Sequence, residues 1–183
     1  MRLYRQTVED FCLYTGRDLT DEEWEALREA AGLMSAKMRA VRIVSASSVS
    51  RRDLQQRLIQ KGETEEQAME AVEWMTDLNL LDDEKVAEQT VSRCISRGYG
   101  LSRAKQALYE KKIPKKYWDE ALANYPAQEE KIEDYLRSHL DGDSDARQIK
   151  KCIDALIRRG HSYGVIRSVL NALRFDTEEF PEE

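Results

Sequence analysis

Apolar residues recur along this chain at three- and four-residue intervals, and one short pattern returns three times: "LIQKGETEEQAMEAV" from Leu58, "LYEKKIPKKYWDEAL" from Leu108 and "LIRRGHSYGVIRSVL" from Leu156. In each copy an apolar residue stands four positions before the leading leucine: Leu54, Ala104 and Cys152. That spacing puts both residues on one helix face. Three residues after the leucine comes a cation, Lys61, Lys111 or Arg159, where the free carbonyls of a helix end favour positive charge. Gly62 and Gly160 follow as predicted C-cap residues, with Lys112 at the same position in the second copy.

A further helix is predicted to start at once in each copy. Thr64 and Gln67 form a capping box, Pro114 suits a first turn and Ser162 is an N-cap. The core-facing positions that follow correspond: Ala68, Ala71 and Val72; Trp118, Ala121 and Leu122; Ile166, Val169 and Leu170. Upstream of each pair lies another helical pattern, carried by Met38, Val41 and Val44, by Ala87, Val91 and Cys94, and by Ile132, Tyr135, Leu136 and Leu140.

The unit is therefore three helices, present three times over residues 34–78, 79–125 and 126–175. Residues 1–33 read as an N-terminal cap, with a short strand-like alternation in "FCLYTGRDLT" and a capping box from Thr20 and Glu23; residues 176–183, "DTEEFPEE", form an acidic tail. Units this short bury little surface alone and must stack. The expected fold is all-α, three tandem three-helix repeats in an elongated, curved, solenoid-like rod with a small N-terminal cap.

Composition agrees with a soluble helical protein: of 183 residues, 35% are charged and 41% hydrophobic, with only 3 Pro and 8 Gly. Charges interrupt every apolar run, so neither a signal peptide nor a membrane span is expected, and a cytosolic location follows. Cys12, Cys94 and Cys152 lack a C-x-x-C pair and read as buried small hydrophobes in a reducing compartment.

The net charge of −6 argues against a uniformly basic nucleic-acid binder, yet the charge is segregated. "EEQAMEAVEWMTDLNLLDDE" has no Lys or Arg, whereas the second helix of each repeat is basic. The candidate partner- or DNA-binding residues are Arg51, Arg52, Arg57 and Lys61; Arg103, Lys105, Lys111 and Lys112; and Arg147, Lys150, Lys151, Arg158 and Arg159, with Tyr163 beside them at a glycine-flanked turn, as Tyr99 also is. Stacked repeats would merge these helices into one stripe able to meet phosphate or an acidic protein surface; the competing reading is a solvated helix face.

Catalytic chemistry finds no foothold. Asp82, Asp83 and Glu84 precede a helix and read as an N-cap with acids that complement its dipole. His139 and His161 lack partners at metal-site spacing. Trp24, Trp74 and Trp118 sit at helical spacing and read as core. "GYG" at Gly98–Gly100 lacks the spacing of a nucleotide loop.

With the repeats aligned, "SRRDLQQRLIQKG" (50–62), "LNLLDDEKVAEQTVSRCISRGYG" (78–100), "LSRAKQALYEKKI" (101–113) and "LIRRGHSYGVI" (156–166) together resemble the RecX family of bacterial recombination regulators, over nearly all of residues 35–175. The chain departs from the family where Val86 and His161 replace an aromatic and Lys112 a glycine. The resemblance implies a protein without catalytic activity or cofactor. Such a protein binds the RecA filament on single-stranded DNA, lies in its helical groove, and limits filament growth, ATPase, strand exchange and coprotease functions; the expected state of this chain is an elongated monomer. Two alternatives are a direct DNA-binding protein of helix-turn-helix type, since short basic helices are each followed closely by another, and a scaffold of armadillo type.

Overall fold

The computed structural model describes residues 3–175, and the acidic tail at 176–183 lies outside them. The described residues are all-α. They contain α1 (Arg5–Asp10), α2 (Asp21–Ala46), α3 (Arg51–Gln60), α4 (Glu65–Asp77), α5 (Asp83–Ser96), α6 (Leu101–Glu110), a 3-10 turn (Lys115–Tyr117) running into α7 (Trp118–Leu122), α8 (Glu129–His139), α9 (Ala146–Arg158) and α10 (Tyr163–Ala172). They divide into two compact units, with the division between Val86 and Ala87.

The predicted helix starts form as expected. Thr20 with Glu23 and Thr64 with Gln67 make reciprocal capping boxes, and Ser162 accepts from the Val165 amide. Asp82 accepts from the Lys85 amide at 3.0 Å and so caps α5. Two caps went unread in the sequence, Ser50 on α3 and Asp145, with Gln148, on α9.

Helix ends repeat one device. Gly62, Asn79, Gly98, Lys112, Gly160 and Arg174 all have positive φ. The next residue's amide then reaches back: Glu63 to the Leu58 carbonyl, Leu80 to Met75, Tyr99 to Cys94, Ile113 to Leu108, His161 to Leu156 and Phe175 to Leu170. This is the Schellman cap, which satisfies carbonyls that a helix end leaves free. Lys112 holds the left-handed backbone (φ 55°) with a Cβ in place. Lys112→Gly is therefore expected to raise stability by about 0.5–1 kcal/mol, read as a higher urea midpoint.

The first unit's core contains Ala36, Ala40, Leu54, Leu58, Ala68, Ala71 and Met75. Small residues along α2 let α4 come close: a Cβ on Gly32 would collide with the Gln67 side chain. Of the helical pattern read at Met38, Val41 and Val44, the two valines pack half-buried against this cluster, and the fully enclosed positions are the alanines. The second unit's main cluster joins Ile132, Leu136, Ile149, Cys152, Ile153, Leu156, Ile166 and Leu170 from α8, α9 and α10.

Three expectations fail near the surface. Residues 11–20 form turns, not a strand. Cys12 is exposed, unlike Cys94 and Cys152. Trp24 is 46% exposed on α2, so it is not a core residue. Each lies at or near the N-terminus, where few elements are available to cover a side chain.

Candidate partner-binding surface

The three basic helices differ in what their cations are free to do. On α3, Arg57 is tied to the buried Asp53 at 2.9 Å. Arg51 is half-buried, and its backbone amide donates to Asp83 Oδ1 at 2.8 Å. Arg52 and Lys61 are exposed.

On α6, Arg103 pairs with Glu110 at 3.0 Å, and that carboxylate pushes the guanidinium pKa still higher. Successive residues turn by about 100° on a helix, so Arg103 lies about 160° around α6 from Lys105. The four cations predicted there do not share one face. Lys105 instead aligns with Leu101 and Tyr109 within an arc of about 80°. Tyr109 is 74% exposed and was missed as a surface residue, because its position next to Leu108 reads as core.

On α9 the same geometry is favourable. Arg147, Lys151 and Arg158 fall within about 40° of one another, with Asp154 among them and Lys150 and the exposed Ile157 alongside. All four cations are exposed, and none makes an ion pair among the described residues. Arg159, just past the helix, lies instead over the Tyr135 ring at 4.8 Å, and Tyr135 stacks on His139. Tyr163 opens α10 and packs against the hydrophobic cluster of the second unit.

α6 and α9 meet end to end. The Gly100 amide donates to the Arg159 carbonyl at 3.0 Å and the Ser102 amide to the Gly160 carbonyl at 3.2 Å. Amides that α6 leaves free at its start thus satisfy carbonyls that α9 leaves free at its end. A Cβ on Gly100 would overlap the Gly160 carbonyl, and one on Gly160 would overlap the Arg103 backbone. The junction brings Arg103 next to Arg159, two residues predicted from different repeats.

Comparisons with known proteins point to one family. Residues 82–122, which span α5 to α7, match the model of the RecX second three-helix domain. Regulatory protein RecX of Clostridioides difficile is 27% identical over 93% of this chain and 83% of its own length. That of Vibrio campbellii is also 27% identical, over 81% of this chain and 96% of its own. A crystal structure of regulatory protein RecX covers 92% of this chain and 86% of its own with a TM-score of 0.71, and at 20% identity it shows the shared fold. All three comparisons support the RecX family. These relatives also support a RecX regulatory role for the chain.

His161, where the RecX pattern resembled above has an aromatic, sits 6% exposed in the same junction. Its Nε2 lies 3.1 Å from the Gly98 carbonyl. A carbonyl can only accept, so Nε2 carries the hydrogen. Nδ1 is buried without a partner. Burial lowers the pKa and nearby Arg159 lowers it further, against the Gly98 hydrogen bond. The folded ring therefore resists protonation, while the unfolded chain takes up a proton near the ordinary value of 6.5. This contribution to stability is complete above that value and falls as the pH drops below it. His161→Phe is expected to flatten the dependence of the urea midpoint on pH between about 5 and 7.

Burial also raises the thiol pKa of Cys94 and Cys152 and pushes Tyr125, whose hydroxyl donates to the Tyr99 carbonyl at 2.6 Å, up to about 12. The Tyr125 hydrogen bond ties its own segment to the turn after α5. Among the described residues no group of three or more His, Cys, Asp or Glu is placed to hold a metal ion, and no helix is long and apolar enough to cross a membrane.

Proposed function

We propose that this chain binds the RecA filament assembled on single-stranded DNA and restrains its extension, ATPase and strand exchange by occupancy, with no chemistry of its own. It acts as a cytosolic monomer. The match to regulatory proteins along 93% of the chain carries this reading. The exposed, unpaired cations of α9 support a contact through that helix, with Lys105 and Lys112 of α6 and Arg52 and Lys61 of α3 as secondary contacts. Several modest contacts on repeated units suit a partner that itself repeats.

The test is the single-stranded-DNA-dependent ATPase of the cognate RecA, titrated with this protein at two salt concentrations beside binding to naked DNA. Inhibition at doses too low to coat the DNA is the expected result. A protein that coats naked DNA tightly and inhibits only then would instead be a direct DNA binder. The short α9–α10 connection is the feature that favours that second reading.

A further inference from the structure

A groove of about 820 Å³ runs along the first unit between α2 and the end of α3. Its α2 wall is one stripe: Arg28, Gly32, Ser35, Arg39, Arg42 and Ala46 are spaced by four and three residues, so they stand above one another on the helix. Arg57 and Lys61 close the other side. Five cations thus face one channel. Arg28, Arg39 and Arg42 lie outside the basic helices singled out by sequence.

The anions near the groove offset part of this charge and leave the rest available. Glu63 is buried and already held by Arg39 at 2.8 Å, with Ser35 donating to the same carboxylate at 3.3 Å. A second nitrogen of Arg39 donates to the Lys61 carbonyl at 2.7 Å. Asp53 holds Arg57. Glu25 holds Arg28 at 2.9 Å, but both partners are well exposed and such a pair is easily exchanged. Arg42 and Lys61 make no ion pair among the described residues and are exposed.

We infer that this groove binds the phosphodiester backbone of single-stranded nucleic acid. Arg28 and Arg42 are separated by about 21 Å of helix rise, so no single small anion reaches both, whereas a chain carrying a charge on every unit does. The lining mixes Gly32, Ser35 and Ser47 with the small Ala31 and Ala46, and among the described residues Ile43 is its only large aliphatic one, which suits a charged backbone better than a peptide that needs several hydrophobic anchors. Tyr4, half-buried at the lining, supplies a ring face beside the channel on which a base can stack. The inference stands beside the proposed regulation of RecA, and the two fail separately: naked-DNA binding reports the groove, and ATPase inhibition reports the filament contact.

The experiment is fluorescence anisotropy of a labelled oligothymidylate across salt concentrations, for the whole protein and for Arg28→Gln with Arg42→Gln. Each cation lost should reduce the salt slope by about 0.7, so between 50 and 200 mM salt the parent protein loses about sevenfold more affinity than the double variant. Arg5→Gln with Arg137→Gln removes the same charge from exposed sites on α1 and α8 and should keep the parent's slope. The inference is overturned if the parent does not bind the oligonucleotide at low salt, or if both pairs change the slope alike. It is also overturned if polyglutamate displaces the oligonucleotide at equal charge concentration, which would assign the groove to an acidic peptide. Circular dichroism of the variants confirms that only surface charge has changed.

Discussion

Gly160→Ala is expected to destabilise the protein by about 3 kcal/mol, roughly twice the cost of Gly62→Ala. Both glycines occupy the same left-handed position after an aligned helix, with φ of 91° and 94°. An alanine at either site carries the left-handed penalty of about 1–2 kcal/mol. Nothing lies within 4 Å of a Cβ at Gly62, whereas at Gly160 it would press into the Arg103 backbone. Relief requires α6 to move away from α9, which breaks the amide-to-carbonyl bonds from Gly100 and Ser102. Urea denaturation of the two variants separates backbone strain from collision. Equal midpoint shifts would show that α6 can retreat without cost. A Gly160→Ala protein that still folds should also regulate RecA less well, because the relative placement of the two basic helices depends on this contact.

The comparison of Gly62 with Gly160 shows where the sequence was readable. Both caps followed from local rules: a periodic helix, a cation in its last turn, then glycine. Local rules also gave the capping boxes at Thr20 and Thr64 and the buried pairs Leu54 with Leu58, Ala104 with Leu108 and Cys152 with Leu156. The contact between Gly100 and Gly160 joins residues sixty positions apart, and no local pattern announces it. The buried face of α2 was only partly legible for a related reason. Hydrophobic periodicity weights large residues, so Met38, Val41 and Val44 drew attention, whereas close helix packing selects the small ones at Ala36 and Ala40. The candidate surface was half-readable. Composition located the basic helices, but only side-chain geometry shows that Glu110 commits Arg103 and Asp53 commits Arg57 while the cations of α9 stay free. The stripe of Arg28, Arg39 and Arg42 was hidden because its members are eleven and three residues apart on a helix that opens with an acidic run, Asp21 to Glu25.

Under the proposed function, reversing Lys150, Lys151 and Arg158 of α9 to glutamate is expected to raise the dose needed to inhibit RecA by about a hundredfold. An exposed cation facing an anion contributes up to about 1 kcal/mol, so losing three removes about 3 kcal/mol, or roughly two powers of ten in affinity. The side chains point to solvent and hold no ion pair that folding depends on. The buried side of α9, with Ile149, Cys152, Ile153 and Leu156, is untouched. Helicity should therefore survive, with a small loss because glutamate near a helix C-terminus opposes its dipole. Arg103→Glu is the informative contrast. Its charge already belongs to Glu110, so reversal should weaken α6 locally through repulsion between two carboxylates and change inhibition far less than the α9 variant does. If the folded α9 variant inhibits RecA at the parent's dose while Arg103→Glu does not, the contact runs through the α6 face and its junction with α9, and the free cations of α9 are only a solvated surface.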